Sequence, residues 1–128
     1  MKLISFSLTT PQFRAQTKSV TRRLGWRHLK AGDRLMGCEK VMGRRKGDPL
    51  VKLGVIIIHS VRFEPIRAMT DDPAYGKAEC AKEGFPDASP SMFVAFFCDS
   101  HKGHPETTPE TVVTRIAFRY ANPTTTAQ

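Results

Sequence analysis

Along the first eight residues apolar and polar positions alternate, with Leu3, Ser5 and Ser7 set against Ile4, Phe6 and Leu8, and this period of two predicts a strand over Lys2 to Leu8. Thr9-Thr10-Pro11 supplies a hydroxyl cap and a proline near the first helical position, which predicts a short helix through about Gln16. Gly25 ends the segment that follows, and Lys30-Ala31-Gly32-Asp33 is a turn feeding a second strand, Arg34 to Met42. Leu50 to Glu64 is a long β-rich stretch whose Val55-Ile56-Ile57-Ile58 run marks a buried strand. Asp71 to Gly76 reads as a loop, and Lys77 to Gly84 as one or two helical turns closed by Gly84. Ser89-Pro90 opens the clearest helix, which Lys102-Gly103 closes ahead of Pro105. Met92, Phe93, Phe96 and Phe97 fall on one face at helical spacing and are expected in the core. Val112 to Tyr120 is a closing strand with Ile116, Phe118 and Tyr120 on one side and Arg115, Ala117 and Arg119 on the other. Strands at both ends with helices between them give an α+β class. One domain over residues 1–121 is expected, with a frayed tail over 122–128.

Length and composition agree with that outline. A chain of 128 residues, 40% apolar and 25% charged, is long enough to bury its own core. Its longest apolar run, Met92 to Cys98, is far too short to cross a bilayer, so no membrane partner is expected. The first residues break into Ser and Thr too early for a secretory signal. Cys38, Cys80 and Cys98 are odd in number and widely spaced, which argues against a disulfide framework and a zinc ribbon, and points to a reducing cytoplasm.

Charge adds a direction. Residues 1–67 hold fifteen Lys and Arg against four acids, whereas residues 68–128 hold five against eight. A one-sided cationic field concentrates polyanions. Arg14, Lys18, Arg22, Arg23, Arg27 and Lys30 crowd into seventeen residues, and Arg44-Arg45-Lys46 sits between Gly43 and Gly47-Asp48-Pro49 as a hairpin tip. The expected phosphate-contacting set is Arg14, Arg22, Arg23, Arg27, Arg44, Arg45, Lys46 and Arg115. A merely solvated surface remains the alternative for these groups.

Several familiar chemistries are absent. Cys98-x-x-His101-x-x-His104 lacks a fourth ligand and runs past Gly103, so no metal is expected. The zinc deaminase, P-loop, dinucleotide and nucleophile-elbow patterns do not occur, and no cofactor is implied.

What remains is Gln16-Thr17-Lys18-Ser19-Val20-Thr21-Arg22-Arg23-Leu24-Gly25-Trp26, followed by Leu29 to Arg34. With Glu83-Gly84-Phe85, the aromatic helix Met92 to Phe97 and the closing strand Val113 to Phe118, this order of motifs resembles the ASCH domain family of the PUA-like superfamily. Ala31 stands where that family usually has proline, and there is extra chain around Arg44-Arg45-Lys46 and Thr70 to Tyr75. The chain looks closer to phage- or prophage-type members. The resemblance implies a small curved β-barrel of about five to six strands flanked by short helices, with a cleft opening on the Lys18 to Thr21 segment. It also implies RNA, single-stranded DNA or a modified nucleoside as partner. A subgroup of small bacterial members removes acyl groups from the exocyclic nitrogen of cytidine, and its Lys, Thr and Glu fall on Lys18, Thr21 and Glu83.

That chemistry is sound for these residue types. A threonine hydroxyl becomes a nucleophile when a base takes its proton, and a lysine amine serves if burial and neighbouring cations lower its pKa. Glu83 would protonate the leaving amine or orient the substrate. Residues three apart point oppositely along an extended strand, so Lys18 and Thr21 must meet across a bend or turn. A binding module for RNA or single-stranded DNA, with or without ribonuclease action, is the other reading. In it Lys18 anchors phosphate, Thr21 is a cap or ladder residue and Glu83 a surface charge. Trp26 is expected as a lid on the core, with base stacking as the alternative.

Overall fold

The structure, a computed structural model, describes residues 1–103 and 106–124. Five strands, β1 (Lys2–Ser5), β2 (Val20–Arg23), β3 (Arg34–Cys38), β4 (Lys52–Pro65) and β5 (Val112–Tyr120), are joined by four short helices, α1 (Thr10–Arg14), α2 (Ala68–Asp71), α3 (Pro73–Lys82) and α4 (Pro90–Ser100). The sheet runs in the order β1-β3-β4-β5-β2, with β1 parallel to β3 and every other pair antiparallel. It is a mixed sheet curled into a half-barrel, and the class is α+β, as the sequence predicts.

Two features curl it. In β4 the pairing register with β5 shifts between Ile58 and Ser60, and a bulge of this kind bends a strand and increases its twist. The outermost strands, β1 and β2, are then tied to each other by a side chain, the Arg23 Nη2 group donating to the Ser5 carbonyl at 2.6 Å. Inside the curl Ile4, Phe6, Phe13, Leu35, Ile56, Ile58, Ile116 and Phe118 form one core, on which Trp26 packs half-buried, as a lid does. Phe13 brings α1 into this core so closely that a Cβ on Gly37 would lie 2.6 Å from its ring, which is why β3 carries glycine there. A second core, Ile66, Met69, Cys80, Phe93, Val94, Phe97 and Val113, lies between the helices and the sheet.

The structure departs from the sequence reading at several boundaries. β1 stops at Ser5 instead of Leu8 because Thr9 N closes a turn onto the Phe6 carbonyl. β3 stops at Cys38 instead of Met42, and the basic tip is closed by Asp48, whose carboxylate accepts from Arg45 N. The expected loop Asp71 to Gly76 is the start of α3, with Asp72 as its cap accepting from Tyr75 N and Pro73 in its first turn. On α4 only Phe93, Val94 and Phe97 are buried, and Met92 (66% exposed) and Phe96 (47% exposed) lie outside the core in which they were expected. The start of the expected tail is held by Gln16, whose amide donates to the Asn122 carbonyl and accepts from Thr124 N, and residues 125–128 lie outside the described part.

Gly76 is placed where α2, α3 and α4 meet, and a Cβ there would fall 1.9 Å from the Met69 carbonyl oxygen and 2.8 Å from Pro90. In an open helix Gly→Ala gains about 1 kcal/mol. Here the sign reverses, and Gly76→Ala is expected to lower unfolding stability by about 1–3 kcal/mol in urea titration.

Candidate active site

Lys18 is delivered to the interior by its backbone neighbours. Ser19 N donates to the Lys82 carbonyl at the end of α3, the Ser19 carbonyl accepts from Phe118 N, and Tyr120 Oη donates to the Lys18 carbonyl at 2.6 Å. Lys18 therefore lies just ahead of β2, outside its alternation, and Lys18 and Thr21 border the same cavity, as the required bend demands. Glu83 arrives from the other side. It caps α3, and Gly84 at φ +100° turns the chain back so that Phe85 N reaches the Cys80 carbonyl.

The three sequence-selected residues converge in part. Lys18 Nζ donates to Glu83 Oε1 at 2.9 Å and to the Glu83 carbonyl at 2.7 Å, and both side chains are buried. Thr21 Oγ1 accepts from Arg23 Nε at 3.0 Å and has no hydrogen bond to Lys18. Burial lowers the Lys18 pKa below its ordinary value. The Glu83 charge and hydrogen bond oppose that shift, and the cationic Arg23 and Arg22 add to it. Two N–H groups of Nζ are spent on Glu83, so its remaining tetrahedral position has no protein partner among the described residues.

Arg22 and Arg115, both expected to contact phosphate, are placed inside the protein. Each is buried and committed to internal carboxylates. Arg22 donates to Glu83 Oε2 at 3.1 Å, to Glu79 Oε1 at 2.6 Å and to Glu64 Oε2 at 3.2 Å, while Arg115 Nη2 reaches Glu79 Oε2 at 3.1 Å. A guanidinium that lacks water must hold carboxylates, and α3 presents Glu79 and Glu83 one turn apart for that purpose. Burial alone would raise the Glu79 pKa, but hydrogen bonds from Arg115 and Arg22, with their charges, hold it at about 2. Arg23 is placed differently, over the Phe6 ring at 5.0 Å, and burial brings its pKa down to about 10. Of the remaining basic candidates, Arg14, Arg27, Arg44, Arg45 and Lys46 are exposed and none borders the cavity.

The cavity itself has a volume of about 150 Å³. An apolar cavity of that size accepts one benzene ring. It is bordered by the polar side chains of Lys18, Thr21, Arg22, Arg23 and Glu83 and by an aromatic wall of Phe85, Phe93, Phe96 and Phe97. His101 stacks on Phe97 at 4.1 Å, with Nδ1 2.8 Å from the Phe97 carbonyl. The sequence reading missed this wall because an aromatic stripe at helical spacing looks the same whether it faces a core or a cavity. Exposure of Phe96 is what distinguishes the two. Among the described residues no group of three or more His, Cys, Asp and Glu is placed to hold a metal ion, and His104 lies outside them. No helix among the described residues is long and apolar enough to cross a membrane.

No protein-family model matches the sequence, and no curated protein matches it. Solved structures do. An ASCH domain from Lactobacillus crispatus superposes with a TM-score of 0.61 at 15% identity, covering 93% of this chain and 78% of its own. The fold is that of an ASCH domain. A protein from Enterococcus faecalis described under the family DUF984 gives a TM-score of 0.63 at 13% identity, covering 99% of this chain and 84% of its own. The extra chain around Arg44-Arg45-Lys46 leaves this ASCH fold intact, since it lies in the β3–β4 connection.

Glu79 joins Arg22, Arg115 and Lys82 at this end of the fold. Its folded-state pKa is depressed, so its contribution is complete above the ordinary carboxylate range and is lost as pH falls from there toward about 2. Glu79→Gln should cost about 3–5 kcal/mol near neutral pH in chemical denaturation. The variant should also lose less stability than wild type between pH 5 and 3, since it lacks the group that titrates.

Proposed function

We propose that the cavity receives the base of a cytidine acylated on its exocyclic nitrogen, and that Lys18, Thr21 and Glu83 hydrolyse the amide. The observation that carries this reading is a buried lysine amine of lowered pKa and a threonine hydroxyl bordering one cavity sized for a single ring. The ASCH fold and the Lys18-Ser19-Val20-Thr21-Arg22-Arg23 segment support it. The aromatic wall suits the face of a base, and the polar border suits the amide.

The steps follow from the contacts. Thr21 Oγ1 accepts from Arg23 Nε, which stabilises the oxygen as it loses its proton. The Lys18 amine takes that proton, Thr21 Oγ1 bonds to the acyl carbon, and the carbonyl oxygen carries the negative charge. On collapse the carbon–nitrogen bond breaks, the exocyclic nitrogen takes the proton from Lys18, and cytidine leaves. Water, deprotonated by Lys18, then adds to the acyl carbon, the carbon–oxygen bond to Thr21 breaks, Thr21 Oγ1 takes the proton back from Lys18, and the acid is freed. Glu83 acts as orienter, because its carboxylate already holds both Lys18 and Arg22.

Purified protein incubated with N4-acetylcytidine should release cytidine. Thr21→Val and Lys18→Met should each reduce turnover by roughly 10² to 10⁴ while the circular dichroism of the fold is kept. A second reading has its own support in the exposed Arg44-Arg45-Lys46 turn, which suits a nucleic-acid backbone. A wild-type protein without turnover, binding single-stranded oligonucleotide with an affinity that falls steeply with salt, would replace the first reading with the second.

A further inference from the structure

The cations around Glu64, Glu79 and Glu83 are unequally served. Lys18, Arg22, Arg62, Lys82 and Arg115 each form an ion pair with at least one of these carboxylates. Arg22 and Arg115 hold those carboxylates directly and Lys18 holds Glu83, whereas Arg23 forms an ion pair with none of them. Its Nε is used by Thr21 and its Nη2 by the Ser5 carbonyl, both neutral acceptors, and its planar face rests on Phe6. Its Nη1 has no hydrogen-bond acceptor among the described residues. The buried side-chain polar atom left unpartnered among the described residues is Arg22 Nε, whereas Arg23 is only half-buried and borders the cavity.

A guanidinium held by neutral groups on two nitrogens and open on the third is an incomplete anion site. We propose that Arg23 Nη1 forms an anion subsite within the cavity, and that the group it takes is a carboxylate. The Glu83 carboxylate on the same cavity disfavours a phosphate dianion and leaves a monoanion as the better fit. The position matches the chemistry as well. Arg23 touches the Thr21 hydroxyl, so the acid freed from Thr21 is released against this guanidinium. The inference rests on the cavity being the ligand site, as in the preceding reading, and does not require turnover.

The test is a titration at constant ionic strength, followed by ¹H–¹⁵N NMR, of wild-type protein with sodium acetate, with acetamide as its neutral isostere and with inorganic phosphate. Acetate is expected to saturate, to move the Arg23 Nε and Thr21 resonances, and to bind about tenfold or more tightly than acetamide. Arg23→Gln should abolish that preference. Arg23→Lys, which keeps the charge and so guards against loss of the fold, should retain part of it. Equal binding of acetate and acetamide, or acetate shifts confined to the exposed arginines, overturns the subsite. Phosphate binding tighter than acetate overturns its assignment to a carboxylate. Acetate discrimination without release of cytidine from N4-acetylcytidine removes the hydrolase reading alone, and release of cytidine without that discrimination removes the subsite alone.

Discussion

The constraint on which this structure turns is the cost of holding basic groups away from water. An ion stripped of its hydration is tolerated only where fixed partners replace that hydration, and a shortage of partners shows up as a displaced pKa or an open binding position. Here α3 supplies Glu79 and Glu83 to Arg22, Arg115 and Lys18, and β4 supplies Glu64. The shortage falls on Lys18, whose amine is pushed toward neutrality, and on Arg23, which is left without a carboxylate.

The same interactions shape the sheet. Arg22 and Arg23 are neighbours on β2, yet one serves the helical side of the sheet and the other reaches across to Ser5 on β1. That second contact draws the two outermost strands together. The cavity lies at their junction, bordered by Ser5 and Phe6 from one and Thr21 and Arg23 from the other, with α4 as its cover. The stability of this region and the polar border of the cavity are thus drawn from one set of side chains, and that border is held by ion pairs that fix the sheet to α3.

The fold was legible where the signal is local. Alternation marks β5 to the residue, Ser89-Pro90 marks the start of α4, and Gly84 marks the end of α3. Asp72-Pro73 carries a helix-start signal as clear as Ser89-Pro90 inside the expected loop Asp71 to Gly76, and the packing that requires Gly76 is visible only in three dimensions. Lys18 and Glu83 are paired in the sequence by resemblance alone, because they are 65 residues apart and meet only in the fold. What sequence could not sort was the arginines. Arg22 and Arg115 look like surface cations in a basic stretch, and only their pairing with Glu79 and Glu83 reveals them as internal. The aromatic wall escaped for a related reason, since Phe93 and Phe97 serve both a core and a cavity.

The central claim is that burial and neighbouring cations leave Lys18 an amine that gives up its proton more readily than an ordinary lysine. A pH titration of the lysine side chains by NMR, with Lys18 assigned by its absence in Lys18→Met, tests this directly. The account predicts that Lys18 titrates below 10.5 and below the exposed lysines, and lower still in Glu83→Gln, where the favourable carboxylate is gone. A Lys18 that titrates together with the surface lysines, or above them, would contradict it.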